Sequence, residues 1–333
     1  MKQSNLTDHG NPKNVVAAIA IALLSALFFA STFVFNSAAS NEGGYWAWIA
    51  ALRYLITLPI MLLIMPFFGG ARPVWQAILL HPKQWLLWST IGFVVFYLCL
   101  SFAAASGPSW LIAGTFQVTI VAGMLCAPFL YSDKRAKIPK WPLAAGSLVL
   151  GGVLMMQFSH ADGKLELEGL IAMAVVILGA FAFPLGNRGL LLHLEKTGSE
   201  LNATQRVFGM TLASQPMWLA VAVFSFAHAG VPSGDQVLLA GGVAIFAGII
   251  ATILFFKATG LVRNNPSALA ATEAMQATEV VFATIGGVLW VGEMLPSAQS
   301  LCGMAVVITG LILFSLLARR ATGIQASPAA TSA

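Results

Sequence analysis

Charge is what this sequence has least of: 17 Lys and Arg with 12 Asp and Glu make up only 9% of 333 residues, where a soluble domain carries about 25%. So few charges cannot dress a water-soluble globule, and the mean hydropathy of +0.85 agrees. An ordinary cytosolic domain is excluded, and lipid is the solvent for most of the chain. Cysteine is also scarce. Cys99, Cys126 and Cys302 all fall inside apolar stretches, as small core hydrophobes do, so no disulfide framework or metal cluster is expected and the redox compartment is not legible. The motifs of common enzymes are missing too: there is no H-E-x-x-H, G-x-S-x-G, P-loop or Cys-x-x-Cys. The histidines, His9, His81, His160, His193 and His228, read as solvated residues of tails, loops or a helix edge. Neither an enzyme nor a bound metal or cofactor is expected. The formal charge of +5 does not point to nucleic acid, because the basic residues sit in short loops between apolar segments.

What the sequence does have is ten apolar stretches of spanning length: Val15 to Phe35, Trp46 to Phe68, Trp85 to Ala105, Ser109 to Tyr131, Pro142 to Phe158, Gly169 to Asn187, Val207 to Ala227, Val237 to Phe256, Pro266 to Trp290 and Ala298 to Ala318. At about 1.5 Å per residue they match a hydrocarbon core of roughly 30 Å. Backbone in lipid must satisfy its own hydrogen bonds, so each is expected to be a helix; the alternation of a membrane barrel is absent. The apolar core of the first stretch is longer than a signal peptide's, which makes it a retained span. Counting Lys and Arg on alternate sides, with the N-terminus inside, puts 15 in cytoplasmic loops against Lys164 alone outside. The positive-inside rule then predicts that both termini are cytoplasmic.

Two halves repeat. Gly107 to Ala113 aligns with Asn265 to Ala271 at an offset of 158, with four of seven positions identical. The same offset pairs Ser147, Gly151 and Gly152 with Ala305, Thr309 and Gly310, a small-xxx-small face on segments five and ten. The expected organisation is a tail (1–14), a first five-helix repeat (15–158), a linker (159–168), a second repeat (169–318) and a tail (319–333). Five is odd, so the second half enters the membrane from the opposite side, as in the inverted repeats of many secondary transporters.

The stretches Ser31 to Asn36, Leu52-Arg53-Tyr54, Phe183 to Arg188, Leu254 to Thr259, Val262 to Pro266 and Glu279 to Phe282 resemble the drug/metabolite transporter superfamily, and within it the multidrug resistance efflux transporter family. The resemblance covers nearly the whole chain. It implies an all-α, ten-helix membrane protein in which helices one to four and six to nine surround a central cavity and helices five and ten pack at the side. It also implies efflux of small organic or cationic compounds from the cell (inner) membrane. A metabolite or amino-acid exporter of the same fold is the alternative, as is a non-transporting scaffold or lipid-handling subunit, which would not need a charged midplane. Small relatives in this superfamily carry a glutamate in their first helix; here that helix offers only Ser25, Ser31, Thr32 and Asn36.

Inside the ten stretches only Arg53, Glu273 and Glu279 are charged. Each costs about 2.5–3.5 kcal/mol on insertion scales, so each requires an explanation. Helix rise puts Glu279 at the midplane, Glu273 about 7 Å toward the cytoplasm, and Arg53 about 6 Å toward the outside. Arg53 and Glu279 are therefore expected either to pair, or to leave Arg53 snorkelling outward. Glu273, Gln276 and Glu279, spaced i, i+3, i+6, form one polar stripe with Thr272 and Thr278 beside it. That stripe is expected to line a water-filled pathway, faced by Thr115, Gln117 and Thr119 of segment four. Protons are the candidate coupling ion, a small molecule the expected cargo and membrane lipid the surrounding partner; oligomeric state is not legible. Pro59, Pro128, Pro184 and Pro216 mark hinges or kinks, and Asn36 and Asn187 are expected to cap helix ends.

Overall fold

The computed structural model describes residues 12–138, 140–160, 167–262 and 266–323, and these are helical almost throughout. Most of the expected linker, most of both tails, and Arg263 to Asn265 of the family-like stretches lie outside the described residues. All ten apolar segments are helical over most of their length. In chain order the helices are α1 (Pro12–Asn41), α2 (Trp46–Phe68), α3 (Arg72–Leu80), α4 (Pro82–Ala103), α5 (Ser109–Leu125), α6 (Lys140–His160), α7 (Leu167–Thr197), α8 (Ala203–Ala213), α9 (Gln215–Ala229), α10 (Gly234–Leu261), α11 (Pro266–Ala274), α12 (Glu279–Gly286) and α13 (Ala298–Gly323).

Among the described residues eight helical stretches are long and apolar enough to cross a membrane, Ala271–Val291 with most of α11 and all of α12 counting as one; the other two apolar segments are α5, which is shorter, and the pair α8 and α9, bent by 46°. Pro216 accounts for the bend. It has no N–H to give the carbonyl of Leu212 and its ring clashes with that turn, so the helix stops at Ser214 and restarts at Gln215. Pro184 has a milder effect: it frees the carbonyl of Ala180, which accepts the Thr119 hydroxyl of α5 at 3.0 Å, so α7 runs on through the proline. The α3 stretch, between the second and third expected spans, is an amphipathic helix. Val74 and Ala77 are buried against the bundle, while Trp75, Leu79 and Leu80 remain exposed.

Irregular turns recur. α4 widens to π-type hydrogen bonding at Thr90–Val95 and α10 does so at Ala244–Ala251. α5 is interrupted by a turn at Gln117 and Val118, and α11 joins α12 through a tight 3-10 turn at Met275–Thr278. Such turns leave carbonyls free, and neighbouring side chains use them: the carbonyl of Ala251 accepts the Ser25 hydroxyl of α1 at 2.8 Å.

Small residues let α6 and α13 pack together along their lengths. A methyl group on Gly152 would lie 2.7 Å from the carbonyl of Gly303, and one on Gly303 2.8 Å from the carbonyl of Gly152. Gly310 sits equally close to Val149. The expected small-residue face is thus only partly right. Gly152 and Gly310 lie in the contact, whereas Ser147, Ala305 and Thr309 are exposed and Gly151 borders open space.

Candidate functional site

The bend in the α8–α9 pair delivers Trp218, fully buried in the second turn of α9, flat against Tyr54 of α2, with ring centroids 4.6 Å apart and planes 9° from parallel. Phe93 and Tyr97 of α4 close on the same tyrosine at 5.4 and 5.6 Å. Gln215, at the first position after the break, donates to the carbonyl of Tyr54 at 3.3 Å. Tyr97 in turn donates to Oδ1 of Asn36, 2.9 Å away. Asn36 is therefore an interior residue of α1 and no cap, because the helix continues to Asn41. Asn187 is no cap either: it lies inside α7 and donates to the carbonyl of Phe183 one turn back.

Arg53 belongs to this aromatic cluster. Its guanidinium carbon lies 3.9 Å from the Tyr97 ring centroid and 5.2 Å from that of Tyr54. It forms no ion pair with Glu279, in contrast to Arg135, which pairs with Asp133 and Glu195. Nor does Arg53 snorkel, since Nη1 is buried and has no hydrogen-bond partner. Helix depth alone made the pairing plausible, but the rotation of α2 turns Arg53 toward Tyr97 of α4. A cation over an aromatic face gains about 0.5–2 kcal/mol, which offsets only part of a buried charge.

The acidic stripe lies where α11 gives way to α12. The 3-10 turn at Met275–Thr278 eclipses positions three apart, so Gln276 and Glu279 fall more nearly in line than a regular helix would place them. Glu273 is exposed and Glu279 half-buried, and neither carboxylate has an ionic or hydrogen-bonding partner among the described residues. Both polar atoms of the Gln276 amide are buried and unpartnered. Orphan groups of this kind cost about 1–3 kcal/mol each. The threonines beside the stripe are self-satisfied: Thr272 donates to Ala268 and Thr278 to Met275, at 2.7 and 2.6 Å. On α5, Gln117 is buried at the interruption of the helix. Thr115 faces elsewhere. It donates to Leu111, accepts from Gln157 of α6 at 3.3 Å, and borders a void of about 30 Å³ between α4, α5, α6 and α7.

One carboxylate that sequence reasoning passed over is held by more protein donors than any of these. Glu293, just past α12, accepts from the Ser37 hydroxyl of α1 at 2.7 Å and from the Ser109 backbone N–H and hydroxyl of α5, both at 2.8 Å. It caps α5, whose own cap residue, Pro108, offers no side-chain acceptor. Two glycines make room. A methyl on Gly287 would strike the Glu293 carboxylate and the Ser109 hydroxyl, and Gly292, at φ +76°, reverses the chain so that the Glu293 N–H reaches the carbonyl of Gly287 at 3.0 Å. The signal in the sequence was indirect: a helix that starts straight after proline must find its N-terminal acceptor elsewhere. Glu293→Ala is expected to destabilise the protein by about 2–4 kcal/mol, since it strands the Ser37 hydroxyl and the Ser109 N–H, while the Ser109 hydroxyl keeps the carbonyl of Ala283 at 3.0 Å. Thermal unfolding in detergent checks this; a melting point equal to that of the wild type would mean that water replaces the carboxylate without loss.

At the opposite end of α5, Arg135 bridges Asp133 and Glu195 at 2.8 and 3.0 Å and stacks on Tyr131. The guanidinium holds the Asp133 carboxyl below the usual carboxylate range. His81, exposed as expected, meets the half-buried His193 edge to face at 4.8 Å, and only Nε2 of His193 is buried without a partner. Among the described residues no three His, Cys, Asp or Glu converge as metal ligands.

A bundle of lipid-length helices, with a buried unpartnered amide at the break between α11 and α12, defines a multi-pass membrane protein. The chain belongs to the EmrE family, described as "Putative multidrug resistance efflux transporter", whose profile matches residues 16–320. It is 42% identical over 305 residues to the uncharacterized protein YjlA of Bacillus subtilis (strain 168), covering 89% of this chain and 93% of that one. It is 38% identical over 271 residues to an uncharacterized 42.1 kDa protein in the intracellular alkaline protease 3' region of Shouchella clausii, covering 80% and 70%. A crystal structure titled only "Crystal structure of protein" shares the fold, with TM-score 0.56 at 15% identity over 92% of this chain and 99% of that chain.

Proposed function

We propose that the protein is a secondary active exporter of small organic molecules in the cell membrane, built from ten helices in two inverted five-helix repeats (15–158 and 169–318) and working by alternating access. The observation that carries this reading is the placement of the irregular turns. The π-type turns at Thr90–Val95 and Ala244–Ala251 start 154 residues apart, and the interruption at Gln117 lies 158 residues before Met275, close to the offset of the sequence repeat. Discontinuous helices at corresponding positions of two halves are where transporters of this kind hold cargo and coupling ions. In this reading Glu279, Glu273, Gln276 and Gln117 line the path near those breaks, and Arg53 borders it. Thr115 serves helix packing instead, and Glu279 exchanges the coupling proton. Unpartnered acid and amide groups at the breaks favour a transporter over a scaffold, which gains nothing from them.

Reconstitution in liposomes tests it. Labelled amino acids, nucleosides and lipophilic cations are to be screened for flux with and without a proton gradient, and saturable flux of at least one, raised by the gradient, is expected. No flux above protein-free liposomes would favour the scaffold. Both termini are expected in the cytoplasm, from the 15-to-1 distribution of basic residues. A C-terminal reporter active only on the outer side of the membrane would overturn the ten-span topology.

A further inference from the structure

Arg53 is the only cation within the ten apolar stretches, and no carboxylate of the described protein meets it. Its surroundings are specific: Tyr97 and Tyr54 carry its guanidinium, Trp218 backs Tyr54, and Nη1 is buried with nothing to donate to. An arginine placed here for stability alone would be expected to have a carboxylate or a backbone carbonyl on each nitrogen, as Arg135 has its two acids. What this arrangement lacks is an anion.

We infer that Arg53 binds the carboxylate of the cargo, so that the protein carries small organic carboxylates, not simple lipophilic cations. A guanidinium presents two parallel N–H donors that match a carboxylate, and the tyrosine faces hold the fork in place. One guanidinium with no second cation beside it suits a single negative charge better than a doubly charged phosphate ester. The assignment rests on the transporter reading for its cargo role, but the binding site itself can be tested without transport.

Three probes share a phenyl ring: phenylacetate carries only the carboxylate, phenylalanine the carboxylate and an ammonium, phenethylamine only the ammonium. Equilibrium binding of labelled phenylacetate to the purified protein in detergent is measured first, with the others as competitors. Saturable binding is expected, with phenethylamine at least about tenfold weaker than phenylacetate, as for loss of a charge-assisted hydrogen bond. The rank of phenylalanine against phenylacetate tells a zwitterionic cargo from a simple anion. Arg53→Lys, which keeps the charge and loses the fork, should weaken phenylacetate about tenfold, and Arg53→Gln should weaken it further. Absence of saturable phenylacetate binding, equal affinity for phenethylamine, or unchanged affinity in a monodisperse Arg53→Gln protein overturns the proposal. If Arg53→Gln does not fold, the ligand series on the wild type decides alone. Flux in liposomes separates the two readings. Carboxylate binding without flux keeps the Arg53 site and removes the transporter, whereas phenethylamine flux without carboxylate binding does the reverse.

Discussion

Glu279→Gln is expected to leave the protein folded in the membrane and to reduce proton-driven uphill transport to background, while downhill exchange of cargo continues. Gln keeps the shape of the side chain and its hydrogen bonding but cannot release a proton, so a coupling step that needs a titrating group stops. The structure strengthens the expectation that folding survives. Had Glu279 paired with Arg53, its neutralisation would strand a buried cation at a cost of about 3–5 kcal/mol; with Arg53 seated on Tyr97 and Tyr54, nothing at position 279 compensates it. The same geometry predicts that the two positions act independently on stability. Glu273→Gln, one turn and a half nearer the other end of the stripe and exposed, should alter cargo capture more than coupling. The measurement is accumulation of labelled cargo in liposomes under an imposed proton gradient, with counterflow as the control. Normal accumulation by Glu279→Gln with unchanged proton dependence would reduce Glu279 to a structural residue.

The spans were legible because lipid punishes a charge or an unpaired peptide group anywhere along them, and that penalty is written residue by residue in the composition. The interruptions were not equally legible. Pro216 announces the break at Ser214, but Gln117 and Met275 lie in runs with no proline or glycine within two residues, and their turns depend on packing between helices. Azimuth was the other blind spot. Spacing placed Arg53 and Glu279 at compatible depth, yet depth says nothing of which neighbour a helix turns toward, and α2 turns Arg53 to α4. The carboxylate best supplied with protein donors, Glu293, lies outside the apolar stretches, and its partners come from residues 184 and 256 positions away in sequence. The repeat offset of 158 sets Thr115 opposite Glu273, but Thr115 is occupied by Gln157, a contact no offset reveals.

Gly186→Ala is expected to prevent the bundle from assembling at its normal stability, a large effect for one methyl group. Gly186 of α7 and Gly92 of α4 face one another where the two helices cross, within the π-type turn Thr90–Val95. A methyl at 186 would run into the backbone N and Cα of Gly92 and come within 2.6 Å of the carbonyl oxygen of Trp88. All three obstacles are backbone, so no side-chain rotation relieves them and the helices must separate. Separation would also disturb Gly189 against the Trp88 ring and Phe183 against Phe96, whose centroids lie 4.8 Å apart. Overpacking of this kind costs about 1–3 kcal/mol where side chains can yield, and more where they cannot. Gly151→Ala is the matched control, since that glycine lies in α6 facing open space and the change should stabilise its helix by about 0.5–1 kcal/mol. The two variants are to be compared by thermal unfolding and by the monodisperse fraction after extraction. Equal behaviour would show that α4 and α7 can slide apart at this crossing at no cost, so that Gly186 is a site of movement between helices and not of fixed contact.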